Sequence, residues 1–313
     1  MARRHAANGS EKTMEKIAMP DKKELHYRVG GHLFLVREDG TTHYARLMPS
    51  MQPFEVEGVE DKPVFTLSIT RPQSLPIPSE GLIGSFDCGG CLHDVYDLQG
   101  EGYCIVFHHT NGDCCGCLLT DHTGEQATVC LHGDHIPHQQ FALGNATMIA
   151  YAYATAKKQT VLMHASVVSL EGKGYLMTAP SGTGKSTHTA LWEKCFGSCE
   201  LVNDDNPVVR IEKGKAIVYG SPWSGKTPCY RNVCYPVGAY VRLFQEKENN
   251  IHPYRPLEAY AMLLPAMSCM VWDKRMQTGV SGTVAEMVRL NTVYRLGCRP
   301  DEAAARICRA TIQ

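Results

Sequence analysis

Nine consecutive residues, Ala179-Pro180-Ser181-Gly182-Thr183-Gly184-Lys185-Ser186-Thr187, restrict this chain to a small set of folds. The apolar residues 175–178 ahead of them read as a strand, and residues 186–196 behind them read as a helix stopped by Gly197. A glycine-rich turn between strand and helix points backbone N–H groups at one spot, where the helix N-terminus adds a positive dipole. Such a turn holds phosphate. Ser181, Gly182, Thr183, Gly184, Lys185, Ser186 and Thr187 are therefore candidate nucleotide ligands. In this P-loop pattern Lys185 reaches the β/γ-phosphates of ATP and the Ser186 hydroxyl is placed for Mg²⁺. The full Walker A pattern has glycine where this chain has Ala179.

About twenty residues beyond the lysine, a predicted strand ends in Val202-Asn203-Asp204-Asp205-Asn206. Asn and Asp followed by Pro207 also make good turn chemistry. After a phosphate loop, paired carboxylates at a strand end point instead to holding Mg²⁺, with one of them free to accept a proton from an attacking hydroxyl. His164 precedes Lys185 by twenty-one residues, in the apolar run Val161-Leu162-Met163-His164-Ala165-Ser166. A histidine in such a strand is commonly a hydrogen-bonded core residue, but the hairpin it opens leads straight into the phosphate loop.

These three elements, in this order, resemble the catalytic core of HPr kinase/phosphorylase: His164-Ala-Ser, then Gly174 to Thr187, then Val202-Asn-Asp-Asp. The Ser181-Gly-Thr-Gly-Lys segment is also similar to the nucleotide loop of ATP-dependent phosphoenolpyruvate carboxykinase, a related fold. The resemblance covers roughly residues 160–225. It implies an α/β fold, with an HPr kinase/phosphoenolpyruvate carboxykinase-like P-loop core on a mixed sheet. By analogy, Lys185 and Ser186 hold phosphate and metal, Asp205 accepts the proton and His164 lies beside the reacting phosphate, while Ser186, Asp204 and Asp205 are the candidate metal ligands. Where that family has a Glu-Ile-Arg-Gly-like strand end, this chain has Tyr219-Gly-Ser-Pro-Trp-Ser-Gly-Lys226. Trp223 and Lys226 are candidates for a substrate lip or for a plain surface turn, and Arg231 for a second phosphate ligand or a solvated charge.

The rest of the chain carries less chemistry. Residues 1–24 read as a mobile leader. Residues 25–140 form a β-rich region of unassigned role, with strands expected at 32–36, 42–47, 64–69, 103–108, 115–119 and 127–131. Residues 141–313 form the nucleotide-binding unit, with helices expected at 146–158, 257–267 and 300–310 and a single strand at 160–170. The 14 cysteines include Cys88-Gly-Gly-Cys91 and Cys114-Cys115-Gly-Cys117, whose spacing invites a zinc site. The alternation of Cys115, Cys117 and Leu119 along one strand favours buried thiols instead.

A net charge of -1 gives no overall drive towards nucleic acid or an anionic membrane. No window holds the ~18 apolar residues of a membrane span. Arg3 and Arg4 are followed by polar residues rather than an export signal, so a cytoplasmic protein is expected. The expected activity is transfer of the ATP γ-phosphoryl group to a hydroxyl of a small molecule or peptide side chain, by a monomer or a homo-oligomer. Two other readings stay open: carboxykinase chemistry on oxaloacetate, and an ATP-binding regulator without catalysis.

Overall fold

The computed structural model describes residues 23–225 and 227–312, as a mixed α/β protein with two mixed sheets. The first sheet is built from β1 (Glu24–Val29), β2 (His32–Arg37), β3 (Thr66–Thr70), β4 (Leu82–Asp87), β5 (Leu92–Asp97), β6 (Gly102–His108), β7 (Cys114–Asp121) and β8 (Gln126–Leu131). Its order is β1-β2-β3-β8-β7-β6-β5-β4. The two pairings made by β3 are parallel and the others antiparallel. The expected strand at 42–47 is instead the helical turn α1 (Tyr44–Leu47). Asp39 there accepts from the backbone of Thr41 and Thr42, and Glu38 accepts from Tyr44 N. Such local side-chain bonds turn the chain away from a ladder.

The pair β4 and β5 is absent from the sequence expectation, because Cys88-Gly89-Gly90-Cys91 looks like a metal knuckle. It is a hairpin. Cys88 N donates to the Cys91 carbonyl at 2.8 Å, and Gly89 and Gly90 take φ of 75° and 90°. Positive φ at both central residues is what a two-residue type I′ turn requires, and glycine supplies it without strain. Among the described residues, no group of three or more His, Cys, Asp or Glu side chains is placed to hold a metal ion. Cys104, Cys117 and Cys130 lie buried in one small cluster on the first sheet.

Helix α2 (Ile136–Thr155) follows, and residue 141 lies within it. The second sheet contains β9 (Thr160–Leu162), β10 (Ala165–Leu170), β11 (Lys173–Thr178), β12 (Glu200–Asp205), β13 (Val208–Glu212), β14 (Lys215–Tyr219) and β15 (Cys234–Gln245), in the order β12-β10-β11-β15-β14-β13-β9. Strand β16 (Asn250–Pro253) pairs with β17 (Val293–Cys298), which lies parallel to β15. The helices are α3 (Lys185–Cys195), α4 (Pro256–Leu263), α5 (Lys274–Leu290) and α6 (Glu302–Ile312). Helices α3 and α6 cover one face through Trp192, Ala305, Cys308 and Ile312. On the other face one core runs through both sheets, from Phe34 and Phe65 through Tyr151 to Val208 and Val284. Tyr103 and Tyr153 both donate to Asp273, the N-cap of α5, at 3.0 and 3.1 Å. Among the described residues no helix is long and apolar enough to cross a membrane.

The single strand expected at 160–170 is two. The chain breaks at Met163-His164, so β9 joins β13 while β10 joins β11 and β12. The His164 backbone N–H donates instead to the Ala266 carbonyl at 2.7 Å. That break frees the histidine from the regular alternation of a strand.

Candidate functional site

Gly182 and Gly184 carry φ of 77° and 113°, values that let the loop after β11 fold under the start of α3. Gln245, at the end of β15, fastens the loop by donating to the Thr183 carbonyl at 3.1 Å. Lys185 lies across the loop, its Nζ donating to the Ala179 and Pro180 carbonyls at 3.1 and 3.5 Å. Burial lowers its pKa, while the charges of Asp205 and Asp204 push it back up. Ser186 Oγ donates to Asp204 Oδ1 at 2.8 Å.

Asp204 and Asp205 end β12, and consecutive strand residues face opposite sides of a sheet. The buried Asp204 turns to the face of α3 and Ser186. Asp205 turns the other way, with Oδ1 3.4 Å from His164 Nε2 and Oδ2 accepting from Asn206 at 2.9 Å. The expected metal set of Ser186, Asp204 and Asp205 is thus divided between the two faces. Burial raises the Asp205 pKa, which His164 and Lys185 pull back down. Burial, then the Lys185 ammonium, lowers that of His164 below the usual histidine range. The result is a neutral imidazole beside a carboxylate of increased basicity.

The segment from Gly220 folds back over this strand end. Asn203, fully buried, donates to Ser221 Oγ and to the Trp223 carbonyl, both at 3.1 Å, and Gly225 N donates to the Asp204 carbonyl at 2.8 Å. Trp223 is buried against Tyr151, ring centroids 5.1 Å apart, so it buttresses the site from within instead of forming a lip. Lys226 lies outside the described residues. Arg231 does not join the site: it pairs with Glu200 at 2.7 Å and caps the Leu201 carbonyl, at the opposite end of β12. That pairing needs a carboxylate thirty-one residues away in sequence.

One residue the sequence reading passed over belongs here. Arg242 on β15 stands in register with Thr178, the last residue before the loop, and its charge depresses both His164 and Lys185. Its Nε is buried without a hydrogen-bond partner, and burial lowers its own pKa. A partly desolvated cation with an unpartnered Nε beside this glycine loop is suited to an anion. The available signal was a lone arginine inside the apolar run Val237-Gly-Ala-Tyr-Val-Arg242-Leu-Phe244. Arg242→Met should lower kcat/KM by about 10²-fold, as loss of one charge-stabilising donor does. The same change should leave the thermal midpoint level, because the side chain is only partly buried and its Nε makes no hydrogen bond. Kinetics and a melting curve on one preparation check both halves.

Two cavities flank the loop. One, of ≈ 370 Å³, runs along Gly182–Thr187 and is walled by Leu191, Leu243, Cys298 and Pro300. The other, of ≈ 690 Å³, opens on the side of Ser181, His164 and Asp205.

No protein-family model matches the sequence, and no curated protein does. Among solved structures the chain is similar to the Hpr(Ser) kinase/phosphatase from Coxiella burnetii, at 14% identity and a TM-score of 0.29. The alignment covers 48% of this chain and 91% of that one, and the relationship is a distant structural one.

Proposed function

We propose that this protein is an ATP-dependent kinase that phosphorylates an alcohol, with the nucleotide on the Leu191 side of the loop and the acceptor on the Asp205 side. The observation that carries this reading is the division of labour at the end of β12: Asp204 meets the Ser186 hydroxyl at the phosphate loop, while Asp205 meets His164 beside a separate cavity. The amides after Ser181, Lys185 and Arg242 would bind and orient the β- and γ-phosphates. Ser186 Oγ and Asp204 Oδ1 are hard oxygen donors 2.8 Å apart, a pair that fits Mg²⁺, which takes one or two protein oxygens beside phosphate. When bound, the ion would neutralise phosphate charge.

Asp205 would take the acceptor's proton. The hydroxyl oxygen forms a bond to the γ-phosphorus, and the bond from that phosphorus to the β–γ bridging oxygen breaks. Its electron pair leaves with ADP. His164, kept neutral, has a single ring N–H and would either hold the Asp205 carboxylate in place or donate to an oxygen of the transferring group. Asn206 donates to Asp205 Oδ2, and Asn203 Oδ1 accepts from the Asp205 backbone N–H. Neither lysine nor arginine lines the acceptor cavity among the described residues, so a dicarboxylate such as oxaloacetate finds no counter-charge there.

The test is mass spectrometry of a metabolite extract incubated with MgATP and either wild type or Lys185→Ala. A species gaining one phosphoryl group only with the wild type supports the proposal. MgATP binding without transfer to any metabolite, peptide or protein acceptor would leave a regulator instead.

A further inference from the structure

The cavity beside Asp205 extends between the first sheet and α2, so the β-rich half supplies one wall of a site whose chemistry lies in the other half. Phe86 and Ile105 line the sheet side, and Met148, Ile149 and Ala152 line the helix side. The segment before α5 closes it with Met267, Met270 and Trp272, and the Trp272 ring packs on Phe86 with centroids 4.6 Å apart. Methionines make an apolar lining that adapts to shape.

Beside these apolar residues the lining carries eight polar side chains, among them Asn145, Asn206, Ser181 and Ser268. Among the described residues it holds the carboxylates Asp87 and Asp205 and no cation. Trp272 Nε1 and His93 Nε2 are buried without hydrogen-bond partners, although both residues line the cavity. Burial pushes the His93 pKa down to about 4, so its ring is neutral. A concave, predominantly apolar chamber with two unpaired buried polar atoms, within the ~300–1,000 Å³ range of small-molecule sites, accepts a compact ligand. A carboxylate or phosphate on that ligand would face Asp87 and Asp205 with no lysine or arginine in the lining to pair it.

We infer that this cavity is the acceptor site and that the acceptor is an uncharged, mainly apolar small-molecule alcohol, whose hydroxyl points at Asp205. This rests on the kinase reading above. The transfer yields a phosphate monoester and ADP, with the hydroxyl proton on Asp205. His93 and Trp272 are positioned to bind one or two polar atoms elsewhere on the acceptor and so set its orientation.

Two measurements on the full chain separate the inference from the kinase reading. Calorimetric titration compares 2-phenylethanol and citronellol with L-serine, D-glycerate and a seryl-peptide mixture, using wild type, Ile149→Trp and Ile149→Ala. Mass spectrometry after MgATP addition then identifies any phosphate ester. The apolar alcohols should bind at least about tenfold tighter than serine or glycerate, the scale on which apolar pockets discriminate. Ile149→Trp should weaken them by a similar factor, leaving MgADP affinity within about twofold, since Ile149 lines this cavity and not the one along Gly182–Thr187. Ile149→Ala should retain binding, which keeps the test valid if the tryptophan variant misfolds. Preference for serine, glycerate or peptides overturns the inference, as does alcohol binding that Ile149→Trp leaves unchanged. Alcohol binding without MgADP binding or ester formation removes the kinase reading and leaves the apolar site standing.

Discussion

Lys185→Ala should reduce phosphoryl transfer by about 10³-fold or more while the thermal midpoint moves little. Loss of one preorganised charge donor costs on the order of 10²–10³ in rate. Two features place Lys185 above that range. Its ammonium is half-buried, where a charge acts through a lower dielectric than in water. It also pulls the Asp205 pKa down, so its removal would leave a larger share of the proton acceptor already protonated. The thermal effect is small because the lysine bonds only to the carbonyls of its own loop, at Ala179 and Pro180, and is itself partly desolvated. Lys185→Arg should not rescue turnover, since a planar guanidinium does not substitute for a point charge in a cradle closed by two carbonyls. Turnover, MgADP affinity and a melting curve check the three parts. Activity above a tenth of wild type in Lys185→Ala would exclude phosphate activation at this loop.

The sequence exposed the chemistry of short spacings better than that of long ones. Gly182, Gly184 and Lys185 are legible because the turn between β11 and α3 is local: its shape depends on its own backbone and on the start of the next helix. The opposite facing of Asp204 and Asp205 follows from strand alternation once β12 is known to run through both, whereas the motif alone left both as metal candidates with Asp205 also the proton acceptor. The break at Met163-His164 was hidden because the ends that pull the chain apart, Pro207 and Ala266, come from distant segments. Helix α5 was passed over for a local reason. Gly279, Gly282 and several β-branched residues dilute its helical preference, although Asp273 caps it and Met276, Val280, Val284 and Met287 repeat at helical spacing. Packing against the turn after α2 decides that segment, not propensity. The wall of the ≈ 690 Å³ cavity was illegible in principle, since Phe86, Met148 and Trp272 belong to three segments that no motif connects.

Asp205→Asn should lower kcat/KM by about 10²–10⁴-fold, the range for loss of a general base, and leave MgADP binding nearly unchanged. Asparagine keeps the shape and can still accept from Asn206, so the loss reports proton transfer rather than collapse of the loop. The pH profile tests the assignment more sharply. Burial holds the folded-state pKa of Asp205 above the ordinary aspartate value of 3.8. The acceptor is active only when ionised, so wild-type kcat/KM should fall as pH drops through that raised value, in a limb displaced upward from an ordinary aspartate. In Asp205→Asn the limb should vanish, and in the residual activity of Lys185→Ala it should move to still higher pH. Stability runs in the opposite sense. A carboxyl whose folded pKa is raised binds its proton more tightly when folded, so its contribution to stability falls as pH rises from below 3.8 through the raised value. Asp205→Asn therefore should not lose, and should slightly gain, thermal stability at neutral pH. A variant that lost stability there along with activity would make Asp205 a structural residue and return the proton to another acceptor.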